Sequence, residues 1–308
     1  MSKRPSGEKI TALKALLESE SKRFAAINQV SNDAIAPALD FKRPQDREIA
    51  AFICSSFAYG NVKQIQRSVR SILSNFSEPA RELALMSNRD IREVSRGWKH
   101  RFNDEKDLFV LLSGLGDLCR SSGKGALPIY SLVNPGLSTT ASSWAEDLSI
   151  YFENKAVFLE KSERLALDWR SFRFMLPKPS RGSTCKRLYL FFRWCVGDTE
   201  NDLNLWGTQH KRSLIMPIDT HTFEFARRFL LTKRKTPNHA TAIEVTEFFK
   251  KLDPDDPIRF DFVVCHLGIR GEMPNGWKDL KDPDSRLSTK KAIKGRGRSN
   301  FLRTDLEK

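Results

Sequence analysis

Two stretches of this 308-residue chain hold side chains whose types and spacing can do chemistry. In the first, Ser180-Arg-Gly-Ser-Thr-Cys-Lys-Arg-Leu-Tyr-Leu-Phe-Phe-Arg-Trp-Cys-Val196, a loop of small residues with Ser183 and Thr184 as capping candidates opens a helix. Leu188, Phe191, Phe192, Cys195 and Val196 mark its buried stripe. Lys186, Tyr189 and Arg193, three and four apart, mark a second face that is cationic and aromatic, the combination that meets phosphates and bases. An amine such as that of Lys186 becomes a nucleophile once it sheds its proton. Alone, the stretch reads as no more than a solvated basic helix face. The second stretch, Met216-Pro-Ile-Asp-Thr-His-Thr-Phe-Glu-Phe-Ala-Arg-Arg-Phe-Leu230, brings Asp219 to the N-cap of a helix with Phe223, Ala226, Phe229 and Leu230 on its apolar face. Capping alone justifies an aspartate there, yet a carboxylate fixed by backbone N–H groups stays ionised and rigid, as is needed to stabilise positive charge developing on a sugar.

The elements that must position these residues are helical. Apolar residues recur at three and four, and almost no segment alternates at two, which gives an all-α fold. A first amphipathic helix spans 8–28, and 33–47 forms a loop into a second helix with Ile49, Phe52, Ile53, Ser56 and Phe57 as its core stripe. That helix is expected to stop at Gly60 and restart from Asn61, with Val62, Ile65, Val69, Ile72 and Leu73 on one face, so that Tyr59-Gly60-Asn61 forms an elbow. Further helices are expected over 106–120, 143–152 and 155–167, with a Ser/Gly/Pro-rich connection at 121–138. Arg286 to Lys308 holds eight basic and two acidic residues and reads as a disordered basic tail or a solvated arm.

Composition narrows the classes of function. Hydrophobic residues at 40% and charged residues at 29% are globular proportions, and no run of 18 apolar residues exists to cross a membrane. Lys and Arg number 52 against 38 Asp and Glu, and the resulting +14 points to a polyanionic partner. Cys54, Cys119, Cys185, Cys195 and Cys265 are scattered and odd in number. They argue for reduced thiols in a cytoplasm and against a disulfide framework or a cysteine-held metal or cluster. The opening Met1 to Leu17, with Glu8 and Lys9 before any apolar stretch, does not read as a secretory signal. Asp253-Pro-Asp-Asp-Pro257 with Asp261 reads as a turn and cap, not a metal site, and His221 and His266 as structural histidines, with His221 a cleft candidate through its closeness to Asp219. No cofactor and no metal are expected.

Together the two stretches resemble the helix-hairpin-helix DNA glycosylase superfamily, whose motif places a lysine at the start of one helix and an aspartate in a Val-Asp-Thr-His-like turn capping the next. Here that turn reads Pro217-Ile218-Asp219-Thr220-His221. A closer resemblance, over about residues 40–270, is to a bacterial family of conserved hypothetical proteins. It runs through Asp46-Arg-Glu-Ile-Ala-Ala-Phe, Phe57-Ala-Tyr-Gly-Asn-Val-Lys-Gln-Ile, His100-Arg-Phe-Asn, Gly182-Ser-Thr-Cys-Lys-Arg-Leu, Ile218-Asp-Thr-His, Leu231-Thr-Lys-Arg-Lys-Thr and Asp253-Pro-Asp-Asp-Pro. The 33-residue separation of Lys186 and Asp219 is similar to that of the archaeal 8-oxoguanine glycosylases. The loop before the lysine, Leu176-Pro177-Lys178-Pro179-Ser180-Arg181-Gly182-Ser183, has one glycine fewer than the superfamily's Leu-Pro-Gly-x-Gly.

The resemblance implies two lobes, one over 40–180 and one from 1–39 plus 181–285, with Lys186 and Asp219 in the cleft between them. It implies excision of an oxidised purine, 8-oxoguanine, from double-stranded DNA by a monomer, Asp219 stabilising an oxocarbenium-like sugar and Lys186 forming a Schiff base that permits β-elimination. Ser180, Arg181, Gly182, Ser183 and Thr184 are then expected to cradle a phosphate. Lys63, Arg187 and Arg193 are expected to contact DNA, and Tyr59 and Asn61 to wedge the duplex or meet the orphan base. The alternatives are a non-catalytic DNA- or structured-RNA-binding protein on the same fold, and a basic scaffold acting through its tail.

Overall fold

The structure, a computed structural model, describes residues 6–25, 33–136, 138–200 and 202–280. The tail at 286–308 lies outside the described residues, as do 26–28 of the expected first helix. In chain order the elements are α1 (Gly7–Ala25), α2 (Pro44–Ser56), α3 (Val62–Leu73), α4 (Pro79–Leu85), α5 (Asn88–Ser95), the strands β1 (Lys99–His100) and β2 (Asn103–Asp104), α6 (Glu105–Ser121), α7 (Pro128–Val133), α8 (Ala141–Ser162), α9 (Trp169–Met175), α10 (Lys186–Val196), α11 (Thr220–Arg228), α12 (His239–Phe249) and α13 (Asp261–Ile269). The fold is all-α apart from the antiparallel pair β1–β2, in which His100 opposes Asn103. No described helix is long and apolar enough to cross a membrane.

Local chemistry sets the helix boundaries. Proline occupies the first turn of α2, α4 and α7, where a missing N–H costs nothing. Asp104 and Ser87 close capping boxes on α6 and α5, and Asn61 and Asp219 cap α3 and α11. Buried Asp46 caps across space, accepting from Ala80 N at the start of α4 (2.9 Å).

Helix α2 is the hub. Ile49 through Cys54 are fully buried, and the helix packs on α3, α4, α7 and α10, with the Phe52 and Phe191 rings 5.1 Å apart edge to face. Glu48, also fully buried, accepts from Ile129 N, Tyr130 N and Trp206 Nε1, tying α2 to α7 and to the loop after α10. Helix α6 packs on α4, α5, α7 and α8, while α13 packs on α1 and α11.

Several sequence expectations shift. Positions 143–152 and 155–167 are not two helices: α8 runs unbroken, because Leu148, Phe152, Ala156 and Leu159 continue one buried stripe with no glycine or proline between them. Helix α2 ends at Ser56, not Gly60. Ser55 and Ser56 turn their hydroxyls onto Phe52 O, which competes with helical pairing. The expected loop at 33–47 contains a 3₁₀ turn, Ala36–Asp40, and gives way to helix at Pro44.

Candidate functional site

Helix α10 begins at Lys186, preceded by buried Cys185 in the left-handed region (φ 48°), so Ser183 and Thr184 do not cap it. The Ser183 hydroxyl instead accepts from Cys185 N (3.2 Å). The turn out of the loop thus brings Lys186 to the surface at the mouth of a cavity. Its Nζ lies 3.5 Å from Asp219 Oδ2, with the lysine side chain 38% exposed and the aspartate 15%. Asp219 Oδ1 accepts from Thr222 N (2.7 Å) as the cap of α11, and Oδ2 accepts from Cys265 Sγ (3.2 Å). Burial alone would raise the Asp219 carboxyl, but the Lys186 charge and the Thr222 N–H outweigh it and hold it below the ordinary carboxylate value. The spacing of 33 residues is closed against α13, whose Asp261 pairs with Arg193 of α10 and whose Cys265 donates to Asp219 at the α11 cap.

The cavity holds about 420 Å³ and lies between the end of α1, the elbow after α2, α10 and α13. Lys186, Leu190 and Arg193 line it from α10 at helical spacing. On α13, Asp261, Phe262, Cys265, His266, Ile269 and Arg270 face it, with the His266 and Phe262 rings stacked at 3.8 Å. Sequence reasoning passed over α13, treating Asp261 as a cap and His266 as structural. The available signal was its polar stripe at 261, 265, 266 and 270 on an otherwise apolar helix. His221, the sequence's cleft candidate, is absent from the lining: it packs against Gly268, where a Cβ would lie 2.4 Å from its own, and so fixes the close approach of α11 to α13.

Arg193 is a second correction. Its side chain is 11% exposed, with Nη1 donating to Asp261 Oδ2 (2.8 Å) and Nε 3.7 Å from Asp202 Oδ1. Its charge is spent inside the wall, which takes it out of the set free to meet a phosphate. Tyr189, placed on the same outer face by the sequence, is fully buried, its hydroxyl 3.2 Å from His239 Nδ1.

A second, larger groove of about 770 Å³ adjoins the cavity, sharing Ala58, Gly60 and Lys186 with it. Its lining contains Arg170, Arg173, Lys178, Arg181, Lys186 and Arg187 and no carboxylate. Behind it, Glu153 of α8 pairs with Lys178 (2.6 Å), Arg181 and Arg173, one acid for three cations. Arg187 is 9% exposed, pairs with no carboxylate among the described residues and leaves Nε without a hydrogen-bond partner. It lies over the rings of Phe174 (4.3 Å) and Tyr59 (5.0 Å), and burial pushes it down to about 10. Of the expected phosphate cradle, Ser183 and Thr184 line the groove. Ser180 is bound through its N–H and hydroxyl to Glu146, and Gly182, left-handed at φ 77°, accepts from His239 N through its carbonyl. Arg170, Arg173 and Lys178 were missed, because each lies on or just after the short helix α9, which shows too few turns to reveal a face.

At the elbow, the Asn61 side chain accepts from Lys63 N (3.0 Å) as the α3 cap, and both residues are exposed. The Tyr59 hydroxyl donates to Asn103 Oδ1 (2.5 Å) and lies 2.9 Å from His100 O, so the ring is pinned rather than free. Among the described residues no group of three or more His, Cys, Asp or Glu side chains is placed to hold a metal ion.

No curated protein and no solved structure matches the chain. Residues 33–270, spanning α2 through α13 and with them the groove and the cavity lining apart from Phe24, match a family model, and the chain belongs to that family, described as a protein of unknown function (DUF2400).

Proposed function

We propose that the protein is a DNA glycosylase and abasic-site lyase of helix-hairpin-helix type, with 40–180 as one lobe, 1–39 plus 181–285 as the other, and Lys186 and Asp219 in the cleft between them. The observation that carries this reading is the amine of Lys186 at 3.5 Å from the ionised, N–H-anchored carboxylate of Asp219, at the junction of a cavity and an adjoining basic groove. The groove takes the DNA backbone, and a nucleotide turned out of the duplex enters the cavity. The C1′–N bond breaks, its electrons leaving with the base, and Asp219 stabilises the cationic sugar. The departing base anion takes a proton from the Lys186 ammonium, and the freed amine bonds to C1′ and passes its next proton to Asp219. Asp219 returns that proton to O4′ as the ring opens to the imine, and its carboxylate takes the C2′ proton as the C3′–O bond breaks and the 3′ phosphate leaves. The resemblance to archaeal 8-oxoguanine glycosylases supplies the choice of base.

Borohydride trapping tests this on a duplex containing 8-oxoguanine, with an abasic duplex alongside and Lys186→Ala as control. A covalent adduct on both duplexes, lost in the variant, is the expected result. An adduct on the abasic duplex alone retains the lysine chemistry and rejects 8-oxoguanine. No adduct on either, with binding intact, overturns the lyase. Arg187 favours a second reading in that case, a non-catalytic nucleic-acid-binding protein, since an unneutralised buried guanidinium beside a basic groove suits a phosphate whether or not chemistry follows.

A further inference from the structure

The β1–β2 hairpin and the elbow are locked into one unit. His100 and Asn103 are buried, and the tip between them is Arg101-Phe102, with Arg101 in the left-handed region (φ 54°). Tyr59 ties the elbow to Asn103 and His100, the His100 Nε2 lies 3.2 Å from Tyr59 O, and the Asn103 amide donates to buried Asp107 (2.7 Å). The Arg101 side chain lies over Gly60, whose φ of 100° is what calls for glycine there.

This rigid mount presents an aromatic ring to solvent. Phe102 is 60% exposed. Its ring lies parallel to Tyr59 (6.1 Å) and edge-on to Phe174 (5.4 Å), itself 40% exposed, and the Arg101 guanidinium sits 5.3 Å from its centroid. Tyr59 and Phe174 line the basic groove, so Phe102 stands at the rim of a surface carrying six cations and no carboxylate. An exposed ring backed by two others, beside cations spaced along a groove, matches a nucleic-acid strand. The phosphates follow the cations and a base meets the ring, since every base has a π-face.

We propose that Phe102, with Arg101 beside it, is a nucleobase-stacking platform at the rim of the groove, taking an unstacked base of the strand whose phosphates lie against the exposed Arg170 and Arg173. The platform rests on the reading of the groove as a nucleic-acid interface, but not on glycosylase chemistry. It assigns a role to the His100-Arg-Phe-Asn segment, which the Lys186–Asp219 site does not use.

The test is fluorescence anisotropy of the full-length protein with two labelled 12-mers, oligothymidine and a strand of tetrahydrofuran abasic analogues of equal length and charge, which cannot form an imine. Wild type is expected to bind oligothymidine at least fivefold more tightly. Phe102→Ala should lose that preference while keeping its affinity for the abasic strand within twofold, Phe102→Trp should restore it, and Phe102→Leu should not. Circular dichroism of each variant establishes that the fold is intact. An unchanged preference in Phe102→Ala, or an equal loss on both strands, overturns the platform and leaves the nucleic-acid reading standing. Failure of wild type to bind either 12-mer, or a duplex, overturns both.

Discussion

At the residue scale, Asp219 performs two tasks that one substitution separates. As the α11 cap it needs only an oxygen accepting from Thr222 N, and asparagine supplies one. As the partner of Lys186 it needs a negative charge. Asp219→Asn is therefore expected to leave thermal stability near wild type at neutral pH, while base release in single turnover falls about a hundredfold or more. Equal activity in the variant removes the carboxylate from the mechanism. The pH dependence has a definite sign. The folded carboxyl lies below the unfolded value of 3.8, so its charge-based stabilisation is present above that pH and is lost as pH falls through the folded value. Any stability advantage of wild type over Asp219→Asn should vanish in acid. Both Lys186 and Asp219 were legible in the sequence from motif and cap position. Cys265, whose thiol donates to the same carboxylate, was not, because nothing along the chain ties position 265 to position 219.

At the element scale, the elbow and hairpin are held by a buried polar network ending at Asp107. Its Oδ2 accepts from the Asn103 amide and the Ser171 hydroxyl, while Oδ1 has no partner among the described residues. Burial pushes the carboxyl up to about 6, against the pull of Asn103 and Ser171. A carboxyl whose folded value lies above its unfolded value costs stability as pH rises through the interval between them, here from 3.8 to about 6. That cost amounts to about 3 kcal/mol at most. Asp107→Asn removes the titration, so urea unfolding at pH 4, 5, 6 and 7 should show the variant gaining on wild type up to pH 6 and holding a constant difference above it. A difference that does not vary with pH would mean that burial does not raise the Asp107 carboxyl above its unfolded value. The sequence showed the elbow through Gly60 and Asn61 but not the hairpin that braces it, since alternation cannot be recognised in strands of two residues.

At the scale of the whole molecule, the excess of +14 acquires meaning from where its members lie. The groove beside Lys186 concentrates six cations with no carboxylate in its lining, so duplex binding should weaken steeply with salt. Arg170 is exposed on α9, and Arg170→Ala should lower the slope of log K against log salt by about 0.9 if it meets one phosphate, uniformly across sequences. Titrations between 50 and 200 mM salt on the order of those used for duplex binders would check this, and an unaltered slope would place the DNA backbone elsewhere. The all-α class and the Asn61 and Asp219 caps were legible in the sequence itself, because helical periodicity and capping are local properties, whereas the pairing of Lys186 with Asp219 was implied there only by resemblance. The tertiary structure alone decided which charges remain free. Arg193 and Arg187 sit on one helix, six residues apart, and read alike in one dimension. Packing gives Arg193 two carboxylates, Asp202 from the loop after its own helix and Asp261 from α13, and among the described residues gives Arg187 two aromatic rings and no carboxylate. Whether a buried cation is neutralised depends on what the fold carries to its side, and those partners lie up to 128 residues away along the chain.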